Sequence, residues 1–306
     1  MTSMSFIITS ILLPIFIQIG VGFLLQKRLK LNIRSLSRVQ IYAFIPALIF
    51  IKFYTSTLSG AYILQISGFT ILLFFILMII SAGVGKVLKL PKKKRKAFEN
   101  AVILRNQANY GIPLITLLYL ESGAELALSI HMVVLLNTNV LLNTVGLYNA
   151  SSGTYTSKEA LSKILRMPMI YTIGLGIICK YMHITLPESI MTTLTIMGNG
   201  VVPLALFTMG AQLAETKFDF KDYTISIAAV MRLILSPLLA FAMVYVFGIQ
   251  GTMAQVLIIG ASAPTAVNSV MLSIEFEGDA AYASQAVLLT TLLSFITVTG
   301  TIMLVM

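Results

Sequence analysis

"RNQANYGIPLI", Arg105 to Ile115, interrupts a stretch of chain that is otherwise apolar enough to lie in a lipid bilayer. A helix facing lipid does not carry an arginine, two asparagines, a glutamine, a glycine and a proline within eleven residues. Proline removes a backbone donor and clashes with the carbonyl four residues earlier. Hydrocarbon offers no water to satisfy the freed groups. The stretch therefore predicts a spanning helix broken at Gly111 and Pro113, with Asn106, Gln107 and Asn109 placed to satisfy the backbone or to reach a ligand. Its counterpart is "GASAPTAVNSV", Gly260 to Val270. There Gly260 and Pro264 predict a second break, and Ser262, Thr265, Asn268 and Ser269 bring the polar atoms. Two helices broken at the bilayer midplane would cross. The half-helix that begins at each break would present unpaired N–H groups and a positive dipole end, both of which favour an anion.

The rest of the chain supports a membrane setting. Of its 306 residues 58% are hydrophobic and 10% charged, with a mean hydropathy of +0.93; a soluble domain carries roughly 25% charged residues. Spanning helices need about 20 mostly apolar residues. Reading from one charged loop to the next gives ten of them, near 5–25, 38–58, 61–85, 97–119, 125–149, 164–182, 188–213, 223–247, 252–273 and 280–305. The sixth is short, and Arg166 and Lys180 are expected to snorkel at its ends. The first run has no basic residue before it and a basic segment after it, which reads as a span rather than a cleaved signal. The single cysteine, Cys179, allows no internal disulfide. A net charge of +10 would suit a nucleic-acid partner, but the basic residues occupy short loops between apolar runs, so no nucleic acid is expected. Seventeen of the 21 Lys and Arg fall in alternate loops, the densest being "KVLKLPKKKRK". That bias places those loops in the cytoplasm and both termini outside a multi-pass cell-membrane protein. The same run suits anionic membrane lipid.

The sequence repeats itself. "PIFIQIGVG" in the first span and "PMIYTIGLG" in the sixth share the spacing of Pro14, Gly20 and Gly22 with Pro168, Gly174 and Gly176. "IPALIF" around Pro46 matches "VPLALF" around Pro203, and Pro113 matches Pro264. The three proline pairs lie 154, 157 and 151 residues apart, in the same order. Two five-helix units follow, residues 1–150 and 151–306. Because five is odd, the second enters the membrane from the opposite side. Inverted repeats of this kind are common in secondary transporters, whose substrate sits near the midplane between discontinuous helices.

Two arginines lie within spans. Arg105 is about eight residues in, ~12 Å at 1.5 Å per residue, and Arg232 is comparably deep. Buried charge in a membrane is usually functional or paired, yet no Asp or Glu is as deep: Glu99 and Glu121 flank the ends of the fourth span. The arginines must meet backbone carbonyls, lipid phosphate, water or an anionic substrate. His131 reads as a packing or hydrogen-bonding residue rather than a proton carrier. In "NTNVLLNT", Asn139 and Asn143 share a helix face, as helix glue or as cavity lining. Neither metal-ligand cluster nor catalytic pair stands out, so no cofactor and no enzyme activity are expected.

"NQANYGIPL", "ASAPTAVNSVMLSIEFEGD", "PLALFTMGAQLA", "AVLLTTLLSFIT" and "YAFIPALIF" resemble the auxin efflux carrier family of bacterial membrane transporters, distantly related to the PIN-type auxin carriers of plants. The resemblance covers essentially the whole chain. It implies an all-α integral membrane protein of ten transmembrane helices in two inverted five-helix repeats, with proline-broken fourth and ninth helices that cross. It implies transport of a small organic anion, a carboxylate or an auxin-like acid, by alternating access. The family's crossing residues carry over to Asn109, Pro113, Pro264 and Asn268; Asn106, Arg105 and Asn139 join them as candidates from the residue reading. Related carriers imply a homodimer through the first, second and seventh helices. The long central loop of many plant relatives is missing, since 151–163 is short. The competing reading is a sodium- or proton-coupled symporter of neutral or bile-acid-like substrates.

Overall fold

The computed structural model describes residues 4–120, 124–151, 157–216 and 222–306. Glu121, Lys217, Lys221 and residues 152–156 of the 151–163 loop lie outside the described residues. Among those described the secondary structure is helical, apart from one isolated antiparallel bridge between Arg105 and Thr265. In chain order the helices are α1 (Met4–Leu29), α2 (Ile33–Tyr54), α3 (Gly60–Val87), α4 (Lys92–Ile103), α5 (107–118), α6 (Ala124–Ala150), α7 (Ser157–Leu165), α8 (Pro168–Tyr181), α9 (Glu188–Ala214), α10 (Tyr223–Val246), α11 (Gly251–Ala261), α12 (Asn268–Glu275) and α13 (Ala280–Val305).

Among the described residues seven of these are long and apolar enough to cross a membrane: α1, α2, α3, α6, α9, α10 and α13. The other three expected spans appear as shorter pieces. The fourth is split into α4 and α5, the ninth into α11 and α12, and the sixth is the 14-residue α8. At the two ends of α8, Lys180 donates to the Ser56 carbonyl, and the exposed Arg166 lines a cavity.

Most prolines inside the spans widen the helix rather than break it. Of the five π-helical turns among the described residues, Ile7–Leu12, Gln40–Phe44, Gln107–Gly111 and Met231–Leu235 each lie just before a proline, Pro14, Pro46, Pro113 and Pro237, and Leu142–Gly146 does not. A proline ring collides with the carbonyl four residues back and has no N–H for it; a wider turn moves that carbonyl aside without leaving the helix. The first predicted break is corrected accordingly. Gly111 and Pro113 are helical, and the chain leaves the helix earlier, at Leu104–Asn106. The second break falls where expected, since α11 ends at Ala261 and α12 begins at Asn268, with Pro264 between.

Glycines set the closest helix contacts. A Cβ on Gly22 of α1 would collide with the Phe207 carbonyl oxygen of α9. A Cβ on Gly210 of α9 would collide with the Ile19 carbonyl oxygen of α1 and lie 2.8 Å from the Phe23 nitrogen. Between α8 and α2 a Cβ on Gly176 would come within 3.0 Å of the Phe50 carbonyl oxygen. Gly20 and Gly174, the other members of the repeated pairs, face open space. At the basic corner Lys94 bonds Asp222 at 2.5 Å, tying α4 to the start of α10. Partial burial pushes the Asp222 carboxyl up, but the Lys94 ammonium and the Thr224 hydrogen bonds outweigh it and hold the carboxyl below its usual range.

Candidate functional site

The two breaks are paired with each other. Asn106 N donates to the Pro264 carbonyl at 2.9 Å, and Ala266 N donates to the Leu104 carbonyl at 2.9 Å. These bonds flank the Arg105–Thr265 bridge. The pairing answers a requirement of the lipid setting, because a helix that stops inside the protein strands its last carbonyls and first N–H groups. Side chains meet several of the other end groups. Thr265 Oγ1 donates to the Ala101 carbonyl at 2.7 Å, Gln107 Nε2 to the Gly260 carbonyl at 2.8 Å, and Ser262 Oγ to the Ile259 carbonyl at 2.7 Å. Asn106 caps α5 by accepting from Asn109 N at 3.1 Å, a standard use of asparagine. His131 reaches the Gln107 carbonyl at 2.9 Å, so Nε2 carries the proton, and Gly111 makes room for its ring.

The α5 and α12 N-termini lie side by side at a small pocket of about 40 Å³, lined by Arg105, Asn106, Gln107, Thr138 and the 266–268 segment among others. It shares Asn109, Asn139 and Asn268 with a larger cavity of about 500 Å³. The large cavity is also lined by Ser37, Gln40, Asn143 and Arg166. Of the candidates from sequence, Arg105, Asn106, Asn109, Asn139 and Asn268 thus come together. Pro113 and Pro264 line neither space; Pro113 is buried in α5, and Pro264 contributes its carbonyl to the pairing.

Each polar side chain has a distinct setting. Asn109 Oδ1 accepts from Gln40 Nε2 at 2.9 Å, which leaves its Nδ2 donors for a ligand. Asn268 is exposed to the cavity. Asn139 and Asn143 donate to carbonyls one turn back, at 2.9 and 2.8 Å, while lining the cavity, whereas Asn137 is the helix glue, bonded to Ser67 of α3 at 3.0 Å. Arg105 is buried at 3% exposure; its side-chain bond to the Thr70 carbonyl is long, 3.5 Å, and its Nε has no protein partner. Arg232 shares the unpaired Nε but differs in being fully buried with its two terminal guanidinium nitrogens on backbone carbonyls. Among the described residues no three His, Cys, Asp or Glu side chains gather as metal ligands.

Sequence reading did not single out Gln40 or Arg166 as site residues. Gln40 is a lone amide at the start of an apolar run, which is a signal in the sequence; Arg166 reads from sequence as a span-end charge that snorkels.

The model of the family described as membrane transport protein matches residues 6–302. An uncharacterized transporter of Methanocaldococcus jannaschii is 24% identical over 272 residues, covering 87% of this chain and 87% of its own. An uncharacterized transporter of Methanothermobacter thermautotrophicus is 26% identical over 273 residues, covering 86% of this chain and 85% of its own. These matches point to a transporter rather than an enzyme, and to a multi-pass membrane protein. The chain belongs to the membrane transport protein family, that of the auxin efflux carriers, as its motifs suggested.

Proposed function

We propose that this member of the membrane transport protein family is a secondary transporter that carries a small organic anion by alternating access, with its site at the paired breaks. The observation that carries the reading is the convergence at one small pocket of two half-helix N-termini, the donors of Asn109 and the buried Arg105. Dipole ends, amide donors and a guanidinium all favour negative charge, and no acidic residue lines that pocket. In this reading the chain crosses the membrane ten times, as two inverted repeats of residues 1–150 and 151–306, the broken pairs α4/α5 and α11/α12 each making one crossing. The repeated glycines support it: Gly22 packs α1 on α9, and Gly176 packs α8 on α2, which are the same contact under exchange of the repeats. With the basic loops in the cytoplasm, the large cavity is the inward-facing vestibule and both termini are outside.

The test is thermal unfolding of detergent-purified protein with malonate and with indole-3-acetate. A ligand that binds the folded form alone adds about 2.7 kcal/mol at a hundredfold excess over Kd. One of the two acids is expected to raise the unfolding temperature, and Asn109→Ala to remove the rise while the unliganded protein unfolds as before. An undiminished rise in Asn109→Ala would take the crossing out of the site.

A further inference from the structure

Two helices end inside this protein, α4 at Ile103 and α11 at Ala261. The last carbonyls of a helix lack intrahelical donors, and the aligned peptide dipoles gather roughly half a negative charge there. Two such ends brought together away from water form a seat for a positive charge. In carriers built on discontinuous helices, these C-terminal ends and the unwound carbonyls coordinate the coupling cation.

Here the protein fills the seat itself. The fully buried Arg232 donates to the Val102 carbonyl at 2.6 Å and to the Ala261 carbonyl at 2.5 Å, one from each ending helix. It also donates to the Ser236 hydroxyl, which in turn donates to the Ala261 carbonyl at 2.9 Å. The rigid guanidinium fork reaches both helix ends at once, as a compact ammonium does not. These partners are neutral oxygens. The acid nearest along α4, Glu99, is bonded to Lys96 at 2.9 Å and lies 3.7 Å from Arg95. The negative potential that Arg232 answers is therefore that of the two helix ends.

We propose that Arg232 is the built-in cation of the crossing, held where a dissociable alkali cation would otherwise bind, so that this protein needs neither sodium nor potassium at the crossing. The consequence for transport, that a sodium or potassium gradient does not drive it, rests on the function proposed above; the occupancy of the helix ends does not. A tethered cation stays with the protein through every cycle and cannot carry gradient energy to the substrate.

The experiment compares the unfolding temperature of the full-length purified protein in sodium, potassium and choline chloride at matched ionic strength, for wild type and R232A. Wild type is expected to unfold at one temperature in all three. R232A strands the Val102 carbonyl and leaves the Ala261 carbonyl to Ser236 alone, with no cation at either helix end, and is expected to unfold several degrees lower in choline. Sodium, or guanidinium far below denaturing concentrations, should restore part of the loss, because a cation bound to the folded form alone stabilises it. A wild type that loses stability when sodium and potassium are removed overturns the proposal. So does an R232A protein that responds to no added cation. Should R232A yield no folded protein, R232K against R232M decides: the charged variant is expected to unfold at the higher temperature, and equal or reversed temperatures overturn the assignment. None of these measurements uses a transported anion, so a protein that binds no carboxylate leaves them intact.

Discussion

Arg105→Ala is expected to yield a folded protein that has lost its preference for doubly charged substrates. Two observations set that direction. Arg105 contributes little to folding through its side-chain bonds, because the one to the Thr70 carbonyl is 3.5 Å long and its Nε is unpaired. A buried cation beside an anion site nevertheless acts on every negative charge there. At an effective dielectric near 20 and a separation of about 8 Å the attraction is about 2 kcal/mol per charge. A dicarboxylate should therefore weaken roughly 30-fold more than a monocarboxylate, since about 1.4 kcal/mol is a factor of ten. The check is a pair of titrations, malonate against acetate, on wild type and variant. Arg105→Lys should keep most of the preference, because the charge survives. Equal losses for both acids would remove Arg105 from charge recognition.

Gly210→Ala is expected to have the largest effect on stability. In an ordinary helix the change would gain up to about 1 kcal/mol from propensity. Here the new methyl group meets backbone of α1: the Ile19 carbonyl oxygen in collision and the Phe23 nitrogen at 2.8 Å. Backbone atoms within a helix cannot swing away as a side chain can, so α1 and α9 must separate. Overpacking typically costs about 1–3 kcal/mol and occasionally more, and a clash with backbone belongs at the upper end. Gly20→Ala is the control in α1, since a Cβ at Gly20 faces open space. It should unfold at or slightly above the wild-type temperature, and Gly210→Ala several degrees below. Matching temperatures for the two variants would mean that the α1–α9 contact yields more easily than its geometry implies.

The two buried arginines separate by their partners. Sequence placed both at depth and offered them the same choices of carbonyl, lipid, water or substrate. The structure gives Arg232 carbonyls from two helix ends and leaves Arg105 poorly bonded beside the pocket. The same reasoning accounts for the asparagines. The spacing of Asn139 and Asn143 put them on one helix face, but that this face lines the cavity, while Asn137 turns to Ser67, depends on where α3 stands relative to α6.

Much was legible from the chain because it depends on neighbours along the chain. Apolar run length placed the seven long helices within a few residues, and the matched glycines of the first and sixth spans proved to include the close contacts at Gly22 and Gly176. Asn106, Asn109 and Asn268 stood out because amides are costly in hydrocarbon unless they serve a purpose. The position of the first break was not legible. Gly111 and Pro113 carry the composition of a break, yet the π-turn before Pro113 absorbs the ring, and the helix opens at Leu104–Asn106, where neither glycine nor proline stands. What holds the chain open there is the backbone of Pro264 and Ala266, some 160 residues away. The partners of Gln40, Gln107 and Arg232 were hidden for the same reason. Hydropathy and spacing are properties of the side chains in order. A stranded carbonyl is common to every residue type, so which donor reaches it is decided only when the two broken helices are brought together.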